Sequence, residues 1–372
     1  MNKESESRFT ESILSSWGGY WRYQDYLDYC YLVTPYYPPQ DLIEELKNNF
    51  EKLLTNYPSG MKVNAQLAAE LFEIDSERIV VGNGAAELIK SIMNCFQGNT
   101  GFIKPTFDEY PNRYARSSSV IYSVENNNFS YTGKEVIEFF APKDISNLVI
   151  VNPDNPSGNY VKKGEMIQVI GWAMDKGIHI IVDESFVDFV DEHDPTLINQ
   201  SILDKYHNLY IIKSISKSFG VPGLRLGVLA SGDTEMISYI KKDVSIWNIN
   251  SFAEFYMQIA GKYKKDYDVA LEMFREERLY FENRLKSIDH IRVIPSQANY
   301  VMVELMGGVS AENLQRRMLI DHKIIIKTLG KKISGSNQFL RLAIRNRDDN
   351  NRFLKSIECA LMGLCKQEKK EG

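Results

Sequence analysis

The chain has 372 residues, 44% hydrophobic and 25% charged, enough for a large buried core and, by length, for two domains rather than one. Its 44 basic and 49 acidic residues leave a net charge of −5, with no basic excess to grip a nucleic-acid backbone. Four cysteines without a CxxC spacing and five scattered histidines argue against a structural zinc site or a disulfide framework, and fit a reducing compartment.

The first residues, MNKESESRFT, lack the apolar core of a secretory signal, and no apolar run approaches the ~18 residues of a membrane span. A soluble, cytoplasmic protein without a membrane partner is expected. Between about residues 40 and 240, helical spacing predicts helices at 41–54, 65–72, 85–96 and 166–176. Short apolar runs predict strands at 78–81, 101–103, 120–122, 148–151, 179–182 and 209–213. The run 148–151 is apolar at consecutive positions, as a strand covered on both faces must be. Such alternation predicts an α/β domain of three layers, with a mostly parallel sheet between helices. Beyond residue 250 a long charged helix, 252–286, precedes strands at 292–294, 300–303, 324–327 and 339–344, with helices at 311–321 and 349–364. That texture predicts a smaller α+β domain. The expected division is an N-terminal arm at 1–40 that joins the smaller domain, a large domain at 41–250 and a C-terminal domain at 251–372.

In a parallel sheet, polar residues at the C-terminal strand ends build the site. Four such places stand out. After 78–81, Gly84-Ala85-Ala86 opens a helix, whose free N–H groups and positive dipole end suit a phosphate, although a tight capped turn reads equally well. After 148–151, two Asn-Pro steps stiffen a turn that carries Asn155. After 179–182 comes Asp183-Glu184, where a carboxylate closing a buried strand needs a cation, a proton or a helix to cap. After 209–213, Ser214, Ser216 and Lys217 precede a glycine-rich turn with Arg225 eight residues on. Hydroxyls with an arginine suit a phosphate dianion, and a lysine among them suits Schiff-base chemistry.

In this order, Asn-Pro-x-Gly, Asp-Glu-Ser-Phe and Ser-x-Ser-Lys-x-x-Gly-x-x-Gly-x-Arg-x-Gly resemble fold-type I pyridoxal 5′-phosphate (PLP) enzymes of the class I/II aminotransferase family. The likeness is greatest to the histidinol-phosphate aminotransferase and threonine-phosphate decarboxylase branch, over about residues 32–361. It implies that Lys217 forms the Schiff base with the cofactor aldehyde and that Asp183 pairs with the ring nitrogen. Asn155 then meets the ring 3-oxygen and Phe107 stacks on the ring. Gly84, Ala85, Ala86, Ser214, Ser216 and Arg225 take the phosphate. Tyr57 matches a tyrosine that reaches the neighbouring subunit's cofactor, implying a homodimer with a shared active site. Arg341 matches the arginine that grips an amino-acid carboxylate, and Lys327 stands where an arginine often meets a substrate phosphate.

Three departures fall on substrate recognition. Phe186 replaces the tyrosine expected three residues after Asp183, as on the decarboxylase side of the branch. Trp17, in Ser16-Trp17-Gly18-Gly19, stands where a decarboxylase arm carries histidine. Val33-Thr34-Pro35 replaces a usual Asn-x-Asn-Pro segment. The resulting expectation is a PLP-dependent aminotransferase acting on a small, phosphorylated amino compound. The alternative is a decarboxylase of an O-phospho amino acid, and no metal is expected.

Overall fold

The computed structural model describes residues 12–13, 18–126, 128–330, 332–333 and 338–371, with side chains as far as 364. By internal contacts the chain forms two units, Val33–Arg275 and a second made of Met1–Leu32 with Glu276–Gly372. The boundaries expected after residues 40 and 250 therefore lie after 32 and 275. The second falls inside a helix, Lys264–Lys286, because Tyr267 and Ala270 of that helix still pack on the larger unit's core.

Strand β1 (Leu27–Asp28) belongs to the second unit. The larger unit holds β2 (Ile79–Asn83), β3 (Thr100–Lys104), β4 (Ser119–Ser123), β5 (Asn147–Val151), β6 (His179–Asp183), β7 (Leu209–Ser214) and β8 (Leu226–Ser231). They form one sheet in the order β2-β8-β7-β6-β5-β3-β4. Neighbours from β7 to β4 are parallel, whereas β8 runs antiparallel to β2 and β7. Side chains along each strand alternate between two cores. Ile180, Val182 and Ile211 enter one; Ile181, Tyr210 and Ile212 enter the other. One core is covered by helices such as Gly133–Phe140 and Lys163–Asp175, the other by Ala85–Cys95 and Thr234–Asp243. This is the three-layer α/β arrangement, and it explains why these strands are apolar at consecutive positions.

The second unit has a four-stranded antiparallel sheet, with β9 (Ile291–Ile294), β10 (Tyr300–Leu305), β12 (Lys327–Thr328) and β13 (Phe339–Ala343) in the order β12-β13-β10-β9. Strand β11 (Ile324–Ile325) pairs instead with β1, in parallel. The predicted strand at 324–327 is thus two short strands in different sheets.

Two further differences have local causes. The predicted helix 41–54 is interrupted at Asn49, whose side-chain amide donates to the Glu45 carbonyl and competes with the helical ladder. The long charged segment is likewise two helices, Ser251–Ala260 and Lys264–Lys286, the first capped by the Asn250 side chain. No helix among the described residues is long and apolar enough to cross a membrane.

Ile211 is fully buried in the middle of β7. Ile211→Ala should destabilise the fold by about 2–5 kcal/mol in urea unfolding. Ile320→Ala, at an exposed position, should stay within about 0.5 kcal/mol of the parent.

Candidate active site

Three strand ends meet at one edge of the large sheet. Ser214 of β7 pairs with Gly227 of β8, and Gly227 pairs with Gly82 of β2. Just beyond them the Gly84 N–H donates to the Arg225 carbonyl at 2.8 Å. Gly84 has φ +72°, and a Cβ there would stand 2.4 Å from Arg225 Nη2, so the guanidinium lies directly against this turn. A Cβ on Gly227 would stand 2.4 Å from the Ala85 nitrogen. Both positions require glycine, and together they bring a guanidinium to the positive end of the helix Ala85–Cys95. Two positive features this close call for an anion between them. Ser216 is buried nearby in sequence, with no hydrogen-bond partner for its hydroxyl, a state that costs about 1–3 kcal/mol unless something binds there.

Asp183 ends β6 between β5 and β7 and is buried. Its Oδ2 accepts the Tyr110 hydroxyl at 2.7 Å and its Oδ1 the Ser185 N–H at 2.9 Å. Burial pushes the carboxyl pKa up; these donors and the Lys217 charge oppose that rise. Burial, reinforced by the Asp183 carboxylate that accepts its hydroxyl, pushes the Tyr110 phenol pKa well above its ordinary value. Ser185 also links two candidate residues, since its hydroxyl accepts the Ser214 N–H at 3.1 Å. Ser185 stands in the Asp-Glu-Ser-Phe motif without an expected role there, and Tyr110 has no sequence signal as a site residue. Tyr110 lies on the four-residue helix Glu109–Asn112, 73 positions from its carboxylate partner.

The turn after β5 is held from within. Asp154, buried beside Asn155, accepts the Thr106 hydroxyl on Oδ1 and the Ser157 hydroxyl on Oδ2, each at 2.9 Å. The aspartate therefore ties the segment carrying Phe107 to the segment carrying Asn155. Phe107 is half-exposed and meets Tyr110 edge-on, with ring centroids 6.3 Å apart. Lys217 is half-buried, its carbonyl accepting the Thr34 N–H at 3.1 Å. Phe186 is buried and offers no hydroxyl.

Tyr57 is 79% exposed and stacks on Trp247 at 4.5 Å. It is absent from the contacts around Asp183. In the second unit, Lys327 and Arg341 are direct partners across β12 and β13, so both project from one face with Cβ atoms ~5 Å apart. The Arg341 Nη2 donates to the Cys30 carbonyl at 2.9 Å, and the guanidinium lies over the Tyr300 ring. Burial lowers the Arg341 pKa. The nearby Asp28 carboxylate accepts the Cys30 and Tyr31 N–H groups. Trp17 lies outside the described residues.

The donor set fits PLP: an anion cradle with an unpartnered buried hydroxyl, a lysine, and a buried carboxylate that the lysine charge reaches. Residues 28–357 match the family described as aminotransferase class I and II. The chain is 32% identical to a CMP-5′-(3-aminopropyl)phosphonate synthase of Streptomyces rubellomurinus, over 93% of this chain and 55% of that protein. It thus spans about half the length of that relative. It is 30% identical to an L-serine phosphate decarboxylase of Sulfurospirillum multivorans, over 90% of this chain and 88% of that one. Among solved structures, a decarboxylase from Sulfurospirillum multivorans superposes with a TM-score of 0.84 at 26% identity, covering 96% of this chain and 97% of the other. The histidinol-phosphate aminotransferase of Sinorhizobium meliloti, solved in complex with PLP, shares the fold with a TM-score of 0.78 at 15% identity, covering 96% and 98%. From the motifs, the cradle and these likenesses, the chain belongs to the class I and II aminotransferase family of fold-type I enzymes, whose cofactor is pyridoxal 5′-phosphate.

Proposed function

We propose that the chain is a PLP-dependent decarboxylase of a small α-amino acid that ends in a phosphate or phosphonate. The observation that carries this reading is the cross-strand pair of Lys327 and Arg341. An ammonium and a guanidinium on one face can both donate to a phosphate dianion, which accepts more charge-assisted hydrogen bonds than one carboxylate. An arginine engaged by the phosphate would leave the α-carboxylate unpinned, and so free to depart as carbon dioxide. Buried Phe186, without a hydroxyl, agrees with the decarboxylase side of the family. So do the serine phosphate decarboxylase and the aminopropylphosphonate synthase, since an amine bearing a phosphonate is what the matching amino acid leaves on losing its carboxyl group.

When bound, PLP supplies an electron sink for the pair left on the substrate α-carbon. The chain's residues set the conditions for it. Gly84, Ala85, Ala86, Ser214, Ser216 and Arg225 hold its phosphate, while Asn155 and Phe107 orient the ring. Asp183 holds a proton on the ring nitrogen, with Tyr110 and Ser185 fixing the carboxylate that does so. Lys217 would hold the cofactor through its side-chain amine, and that amine would supply the proton that takes the place of the lost carboxyl group on the substrate α-carbon. In this reading the chain works as a cytoplasmic homodimer. Exposed Tyr57, Trp247, Ile246 and Leu54 give the larger unit an apolar surface suited to a second copy.

A second reading keeps the aminotransferase of the sequence analysis. It is favoured by the Arg341 fork, which would grip and so retain the α-carboxylate, leaving the α-proton for Lys217 to remove.

Holoenzyme given O-phospho-L-serine should release carbon dioxide over many turnovers without a keto acid. Stoichiometric conversion of the cofactor to its amine form without gas would favour the aminotransferase. Borohydride reduction should fix the cofactor on Lys217; label on another lysine would refute that role. Lys327→Ala should raise KM for O-phospho-L-serine about 10- to 100-fold, as loss of one charge-assisted contact does. An unchanged KM would remove Lys327 from phosphate recognition.

A further inference from the structure

Beside the site lies a buried charge cluster that the proposed chemistry does not use. Asp188 sits in the short turn Val187–Phe189 after β6. Its Oδ1 accepts the Lys213 ammonium at 2.5 Å, and the two side chains are only 16% and 4% exposed. Its Oδ2 accepts the Ser218 hydroxyl at 2.6 Å. Arg275 fixes the turn's backbone, its Nη2 donating to the Asp188 carbonyl at 3.1 Å and its Nε to the Val190 carbonyl at 2.9 Å. A second buried carboxylate, Glu184, also faces the Lys213 charge and accepts the Thr196 hydroxyl and the Leu197 N–H, each at 2.6 Å.

A buried ion pair is weak evidence for stability, because desolvation consumes most of the attraction. This pair is better explained by what it holds. Ser218 follows Lys217 directly. The next residue, Phe219, stacks flat on Tyr267 with ring centroids 4.3 Å apart. Gly220 has φ +62°, and a Cβ there would stand 1.8 Å from the Tyr37 carbonyl oxygen. Three consecutive residues after Lys217 are thus fixed, the first of them by Asp188.

We propose that Asp188 is a positioning residue for Lys217: anchored by Lys213, it pins Ser218 and so sets the direction from which the Lys217 amine reaches its reaction partners. The proposal rests on Lys217 being the cofactor-linking lysine. It explains why a charged pair, rather than apolar packing, lies beneath this loop. A carboxylate has two acceptor oxygens and can hold an ammonium and a hydroxyl at once, giving one defined loop geometry.

The test compares Ser218→Ala, Asp188→Asn and Lys213→Arg with the parent chain. Ser218→Ala and Asp188→Asn should lower kcat for O-phospho-L-serine about tenfold or more while KM changes less than about threefold, because misplacement of a reacting group affects the chemical step. The pH midpoint of the Lys217-linked cofactor's visible absorbance should move by at least about half a unit. In cofactor-free chains, amides of residues 216–220 should exchange with deuterium about tenfold faster, with β6 and β7 unchanged. Lys213→Arg, which keeps the pair, should retain near-parent values. Unchanged kcat, midpoint and loop exchange in Ser218→Ala and Asp188→Asn would overturn the proposal, as would faster exchange spread across β6 and β7. If the parent does not turn over O-phospho-L-serine yet borohydride fixes cofactor on Lys217, the substrate reading alone fails, and midpoint and exchange decide. Label on another lysine would overturn the proposal at its premise.

Discussion

Burial of the Asp183 carboxylate at the end of β6 is the constraint around which the larger unit is arranged. A carboxylate between β5 and β7 is cut off from water, and desolvation pushes its pKa upward. It persists there because a tyrosine hydroxyl and a backbone N–H donate to it and a lysine charge reaches it. A further cation beside it would favour the charged carboxylate more strongly still. Parallel strands place their C-terminal ends along one edge, so the same topology that buries Asp183 also brings Ser214 and the turn carrying Asn155 to that edge. The antiparallel β8 adds Arg225 and Gly227 from the opposite direction, which no purely parallel sheet would do.

The two anion-seeking places differ in how they are made. The cradle at Gly84 uses backbone: a left-handed glycine, a helix start and a guanidinium pressed against both. It suits an anion that stays. The pair of Lys327 and Arg341 uses side chains on two short antiparallel strands of the second unit. In the proposed function the first would hold the cofactor phosphate and the second the substrate's.

Much of this was legible in the sequence, for identifiable reasons. Strands β5, β6 and β7 are apolar at consecutive positions because both faces are covered, and that pattern survives without any contact information. Lys217, Asp183 and Arg225 stand in motifs whose spacing is set by one strand-to-turn step. Strand β8 was missed, although Leu226-Gly227-Val228-Leu229-Ala230 is an equally apolar run, because its start was absorbed into the glycine-rich turn. Tyr110, Asp154 and Asp188 were missed for another reason: each acts through partners at least 25 positions away as well as near ones, and no local period encodes such a pairing. Arg341 alone reads as a carboxylate fork. Only the register of β12 on β13 places Lys327 opposite it, the pairing on which the proposed phosphate recognition rests.

The central claim is that Asp183 keeps the cofactor ring nitrogen protonated. It is tested most directly by the 15N chemical shift of ring-labelled PLP in the holoenzyme, followed across neutral pH and repeated in Asp183→Ala. The account predicts a protonated-pyridine shift that persists through neutral pH and collapses to the unprotonated value in the variant. An unprotonated shift in the parent enzyme at neutral pH, or a shift unchanged in Asp183→Ala, would contradict it.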